Sequence, residues 1–168
     1  MSKKLSRKTF LVYVNVAEGS SSEYDWALTG IGTEEMNMEF NLSRESVTDI
    51  YGVTRGSVTP GEKTITIDNN KYIADDKLFE SLLKKVRSAD YNGMTNYDVL
   101  VVYGFMPANE DGAYEAEIHK GCTVMLTSLG GSSDDLNAPY EIALSDDKVL
   151  GTVTTNDWRT TPTFTPSI

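Results

Sequence analysis

Cysteine and histidine are almost missing from this chain of 168 residues, which has one of each, Cys122 and His119. A single cysteine excludes an internal disulfide and a cysteine-rich zinc site. A single histidine removes most histidine chemistry. Long apolar runs are missing too, and no stretch approaches the 18 residues of a membrane-spanning helix. Residues 1–9 are basic, but the apolar run behind them, Phe10 to Val14, is too brief and too strand-like for a signal peptide. Met1 therefore reads as the start of a cytosolic product. Positive charge is scarce: 15 Lys and Arg stand against 25 Asp and Glu, for a formal net charge of −10. Lys3, Lys4, Arg7 and Lys8 hold four of those positive charges, so the rest of the chain stands at −14. Such a body repels phosphate backbones, which argues against a conventional nucleic-acid reader. Hydrophobic residues at 39% and charged residues at 24% give a globular balance, not a disordered one.

What the chain does have is strand patterning. Phe10 to Val16 is a β-rich apolar run that predicts a buried strand. Residues 18–32 read as a loop anchored by Trp26 and Leu28. Met36, Met38, Phe40 and Leu42 alternate with Asn37, Glu39 and Asn41, the period of a strand with one face on a core and one in water. Residues 43–62 form a long polar excursion with turn signals at Gly52, Gly56 and Pro60-Gly61. Val47, Ile50, Tyr51 and Val53 are too few to make a core there, so the excursion is either mobile or has a partner. Lys63 to Asp68 alternates again.

One helix is predicted over about 75–89. Asp75-Asp76 cap it, Leu78, Phe79, Leu82, Leu83 and Val86 make an apolar stripe, and Asn92-Gly93 marks its stop. Val99 to Tyr103 is apolar on both faces and predicts a central strand. Asn109-Glu-Asp-Gly112 reads as a hairpin turn. Tyr114 to Ile118 alternates and puts Glu115 and Glu117 on a wet face. Pro139 to Leu144 and Val149 to Thr154 read as a last pair joined at Asp146-Asp147. The result is a mainly β chain, an antiparallel sandwich or barrel with one flanking helix. Its parts are a basic arm at 1–9, a β-domain at 10–155 containing the long loop 43–62, and an extended arm at 156–168 with Trp158 and Phe164.

Catalytic patterns are weak. His119 and Cys122 lie three apart but lack the further ligands of a metal site, and Cys122 has no obvious base to make it a nucleophile. Asp134-Asp135 and Asp146-Asp147 lack the spacing of a calcium loop and suit turns on backbone grounds alone. Gly30-Ile-Gly32 lacks the third glycine and following helix of a phosphate loop, and no nucleophile elbow is present.

Five segments, in order, carry a resemblance. They are Glu34-Glu-Met-Asn-Met-Glu-Phe-Asn-Leu42, Ser46-Val-Thr-Asp-Ile-Tyr-Gly52, Asp75-Asp-Lys-Leu-Phe-Glu-Ser-Leu82, Gly112-Ala-Tyr-Glu-Ala-Glu-Ile-His-Lys120, and Ser128-Leu-Gly-Gly-Ser-Ser133 followed by Val149-Leu-Gly-Thr-Val-Thr154. Together with Phe164-Thr-Pro166 they span about residues 34–166, and the chain resembles the major tail tube proteins of long-tailed phages and prophages of Gram-positive bacteria. It departs from that pattern after the third strand, where the usual aromatic is matched only by Tyr72. The resemblance implies a β-sandwich with a flanking helix and a structural, non-enzymatic role without cofactor or metal. It implies hexameric rings stacked into a hollow tube through which DNA passes without sequence-specific contact. It also implies tail terminator, tape measure and distal tail proteins as partners, a place in the virion, assembly in the host cytoplasm, and no membrane insertion by this chain. On that reading Glu39, Glu115 and Glu117 line the lumen. Lys3, Lys4, Arg7, Lys8, Val47, Ile50, Tyr51 and Arg55 lie at stacking interfaces, and 43–62 and both arms become ordered on assembly. The alternative is a non-enzymatic cell-surface or carbohydrate-binding β-sandwich module.

Overall fold

Alternating and β-branched segments become strands, and the computed structural model describes residues 6–17, 23–108, 112–155, 158 and 162–167. The first strands are β1 (Phe10–Asn15), β2 (Trp26–Leu28) and β3 (Asn37–Glu39). A hairpin of β4 (Ser43–Thr48) and β5 (Thr54–Thr59) precedes β6 (Lys63–Ile67) and the helix α1 (Lys77–Arg87). Then come β7 (Tyr97–Pro107), β8 (Tyr114–Leu126), the short β9 (Gly130–Gly131) and β10 (Leu136–Asn137), β11 (Tyr140–Leu144), β12 (Lys148–Thr154) and β13 (Thr163–Pro166). The main sheet is antiparallel and runs β2-β1-β7-β8-β11-β6-β3, with β12 on β8 and β13 on β12. It curls into a half-barrel, so the fold is mainly β with one helix.

The central strand β7 lies between β1 and β8, and its two faces feed two cores. Val99 and Val101 join Val12, Val14, Ile65, Val124 and Ile142 beneath Leu78 and Leu82 of the helix. Leu100 and Val102 join Tyr13, Ala116, Ile118 and Val153 on the other face, covered by Trp26, Trp158 and Phe164. The helix is cut as its caps dictate. Asp76 accepts from the Leu78 and Phe79 amides at 3.0 and 3.2 Å, and the last turn carries Lys84, Lys85 and Arg87. Leu82 has no exposed surface, and truncating such a leucine costs about 2–5 kcal/mol. The helix ends earlier than Asn92-Gly93, at Ser88, and residues 92–95 make a separate 3-10 turn.

Several expectations need correcting. Most of the excursion at 43–62 is a paired hairpin, residues 43–48 with 54–59, in place of the expected loop. The strand from Met36 stops at Glu39. Asn41 there adopts a positive φ of 47° and donates to the Glu62 carbonyl, which turns the chain off the sheet and leaves Phe40 and Leu42 exposed. β11 and β12 do not pair with each other; both pair with β8. The C-terminal segment is no free arm, since β13 pairs with β12 through Val153 and Phe164. Trp26, expected in a loop, lies in β2, opposite Asn15 of β1. The expected turn at 109–112 lies mostly outside the described residues, though β7 and β8 pair across it.

Candidate functional site

The β4–β5 hairpin is built from Thr, Ser, Val and Arg, residues that suit a pleated ribbon yet supply no core. Its register runs from Ser43 opposite Thr59 to Thr48 opposite Thr54. It forms its own two-stranded sheet, and all twelve strand residues are exposed. The tip is nevertheless fixed. The Asp49 carboxylate accepts from the Tyr51 and Val53 amides at 2.9 and 3.0 Å, and Gly52 takes the positive φ that the turn needs. This presents Ile50 at 92% exposure and Tyr51 at 85%, with Val47, Val53 and Val58 behind them and Phe40 and Leu42 near the base. Arg55 stands 4.0 Å from Asp49 in a solvated pair of little energetic weight. Val47 and Arg55 share one face, being directly opposite. An isolated two-stranded ribbon is marginal in water, and large apolar side chains held this exposed at its tip suit a contact.

Of the acidic residues singled out by alternation, Glu39 and Glu115 are exposed. They are not brought together: β3 is an edge strand and β8 lies three strands away in the sheet order. Glu39 instead joins Glu34, Glu35 and Asp68 around a hollow of about 290 Å³ that Asn37, Thr66 and Asn69 complete. Sequence reading missed these partners. The register of Asn37 opposite Thr66 makes the cluster, and no local pattern announces it.

Glu117 is not on a wet face: it is 6% exposed. β7 and β12 flank β8 on both sides, so alternation marks a face here but not an open one. One Glu117 oxygen accepts from the Tyr103 hydroxyl and meets His119 Nε2, both at 2.9 Å. The other accepts from Lys148 Nζ at 2.9 Å. The bond from His119 is the largest cause that holds this carboxyl down, at about 2, with Lys148 and Tyr103 adding to it against the opposing effect of burial. Burial, with Glu117 beside it, pushes the Tyr103 phenol up. Burial likewise pushes the Cys122 thiol up to about 11, so little thiolate is present near neutral pH.

The basic arm divides. Lys3 and Lys4 lie outside the described residues. Lys8 is exposed in a short 3-10 turn. Arg7, exposed as it is, is also engaged within its own chain. Its Nε and Nη2 donate to the Met36 carbonyl at 3.2 and 2.9 Å, its Nη1 donates to the Phe10 carbonyl at 2.6 Å, and it sits 5.1 Å over the Phe10 ring. It thereby ties the start of β1, next to one edge of the sheet, to the start of β3 at the other.

A wider hollow of about 680 Å³ lies between Tyr24, Trp26, Val149, Pro162 and Phe164, with Lys120 at its side. Tyr24 stacks on Trp26 at 4.6 Å. Among the described residues no group of three or more His, Cys, Asp or Glu is placed to hold a metal ion.

No protein-family model matches the chain, and no curated protein matches it. Solved structures show a distant likeness, among them two large assemblies. A chain of the sheath–tube complex of an extracellular contractile injection system, PVC, in the extended state, is 14% identical, with 88% of this chain and 90% of that chain covered and a TM-score of 0.41. A chain of the anti-feeding prophage (AFP) baseplate, 6-fold symmetrised, is 13% identical, with 94% of this chain and 100% of that chain covered and a TM-score of 0.44.

Proposed function

We propose that this chain is a structural, non-enzymatic subunit that assembles with copies of itself into stacked rings, six to a ring, forming the hollow tail tube of a phage-like particle. The observation that carries the reading is the β4–β5 hairpin, a fixed ribbon whose strands and apolar tip are wholly exposed. A second copy is the natural cover, because the hairpin is a neutral part of an acidic chain. Its Arg44 and Arg55 balance Glu45 and Asp49, while the whole chain stands at −10. A patch that meets a different patch on the next copy closes into rings or runs on as a filament, and stacked rings use both kinds of contact. The short edge strands β2 and β3 supply unpaired backbone for joining sheets across copies.

On this reading Val47, Ile50, Tyr51 and Arg55 lie between subunits, and Lys3, Lys4 and Lys8 contact the acidic wall of the next ring. Glu39, with Glu34, Glu35 and Asp68, and Glu115 face the lumen. Six copies carry roughly −60 in formal charge, six times −10. A carboxylate lumen lets DNA slide, since counterion release gives no attraction there. The tube ends would meet tail terminator, tape measure and distal tail proteins, in a virion assembled in the host cytoplasm.

The test is negative-stain microscopy and sedimentation of the purified protein beside an Ile50→Asp, Tyr51→Ser variant. Rings or tubes from the wild-type chain, and a monomer of unchanged circular dichroism from the variant, support the reading. A wild-type chain that stays monomeric at every concentration and salt level sinks it. The hollow beside the stacked Tyr24 and Trp26 favours a second reading, a carbohydrate-binding module. That module would be monomeric and would retain a sugar ligand that Tyr24→Ala releases.

A further inference from the structure

Pairing along β8 is interrupted on its β11–β12 side. Thr123 faces Ala143 and His119 faces Lys148, so four steps on β8 oppose five on the neighbouring run. This is a β-bulge, which bends a strand and sharpens its twist. Gly121, with a φ of +67°, sits at the bend with open space around it. Three backbone groups that the bulge displaces are met. The Lys120 amide donates to the Asp147 carbonyl at 2.8 Å. The Ser145 carbonyl lies 2.6 Å from His119 Nδ1, which must donate because a carbonyl only accepts. The Ser145 amide faces Cys122 Sγ at 3.4 Å.

His119 is 1% exposed, and its other nitrogen meets Glu117, which also holds Tyr103 of β7 and Lys148 of β12. One buried polar cluster therefore touches the strand on each side of β8 and the bulge itself. Buried ion pairs are weak sources of stability, because desolvation offsets much of their attraction. Their best-attested use is to specify one arrangement among several.

We propose that the Glu117–His119–Lys148 cluster is a curvature lock: it holds the bulge at residues 145–147 in one register and so fixes the bend of the sheet at β8. Without it, β11 and β12 share no fixed phase along β8, and a slip of one residue turns side chains to the opposite face. The lock is a local device, so its loss has a local signature.

The experiment is amide hydrogen exchange, followed by NMR, on the whole chain and on Glu117→Gln and His119→Gln variants. In both variants exchange at the Lys120, Ser145 and Leu150 amides should quicken by at least about tenfold more than at Val12 and Val101, whose common acceleration reads only the loss of global stability. Equal acceleration at both sets, or none at either, overturns the lock. If those variants do not fold, Lys148→Met, which removes only the partly exposed partner, is read by the same comparison. An extension rests on the tube reading: the bend then sets how copies meet, and Glu117→Gln rings should show a broader spread of diameters than wild-type rings. An unchanged spread overturns that extension. A wild-type chain that forms no rings overturns the tube reading, and the exchange comparison still decides the lock.

Discussion

Replacing Arg7 by alanine separates the tie that this residue makes within the chain from the ring contact proposed for the basic N-terminal segment. The guanidinium makes two contacts with the Met36 carbonyl and one with the Phe10 carbonyl, and covers the Phe10 ring. Hydrogen bonds from charged donors contribute about 1.5–3 kcal/mol when buried. Arg7 is exposed, so about 1 kcal/mol for each carbonyl is a fair discount. The ring contact adds about 0.5 kcal/mol, and ordering the long side chain costs up to about 2 kcal/mol. The net is on the order of 1 kcal/mol, which for a chain of this length lowers Tm by about 2–4 °C. Thermal unfolding measures that shift, and hydrogen exchange at Asn37 and Met38 should quicken with it. A triple replacement of Lys3, Lys4 and Lys8 by serine should do the reverse. It should leave Tm alone and weaken stacking at low salt, with added salt partly restoring it, because at 0.15 M the Debye length is about 8 Å. An Arg7→Ala protein with Tm within about 1 °C of wild type and unchanged exchange at Asn37 would refute the tie between β1 and β3.

Three further outcomes are expected. Asp76→Ala removes the helix N-cap and should cost about 0.5–2 kcal/mol, seen as a lower denaturation midpoint with an unchanged slope. Gly151→Ala would set a methyl group against the Thr165 carbonyl and 2.5 Å from the Phe164 ring. It should detach β13 and expose the chain beyond Thr154 to limited proteolysis, and a cleavage pattern like wild type would count against that packing. Glu117→Gln should be less stable than wild type by on the order of 2 kcal/mol near pH 7, and the gap has a definite pH course. The folded-state pKa of Glu117 is depressed from 4.5 to about 2, so its contribution is full above about pH 4.5 and is lost as pH falls towards 2. A gap that stays constant down to pH 2 would show that charge is not its source.

The parts of the fold that sequence exposes are those set by neighbours in the chain. The helix is legible because Asp76 caps the Leu78 and Phe79 amides two and three residues on, and because its stripe repeats within eleven residues. β7 is legible because a strand buried on both faces must be apolar on both. The misread parts depend on distant partners. Asp146-Asp147 carries the composition of a turn, yet whether it reverses the chain or merely bulges depends on β8, some 25 residues upstream. Alternation puts Glu115 and Glu117 on one face correctly, but only the lie of Tyr103 and Lys148 decides that Glu117 is covered. The hairpin reads as a loop in sequence because its strands bury nothing, so the usual hydrophobic period is missing. Ile50 and Tyr51 nonetheless stand out in sequence as residues without a core, on a segment that is either mobile or has a partner.

The way β1 is paired has a consequence for synthesis. Its partners in β7 lie 85 to 93 residues downstream, from Val99 opposite Val14 to Tyr103 opposite Phe10. The β4–β5 ribbon needs only 6 to 16 residues between partners. Hairpins close in microseconds, whereas distant pairings wait on the rest of the chain. At a ribosome adding about 5–20 residues per second, both strands of the ribbon are therefore made several seconds before β1 can meet β7. During that interval neighbouring nascent chains on one message display Ile50 and Tyr51 to each other with no folded body behind them. The acidic, self-repelling composition of the chain then protects against premature association.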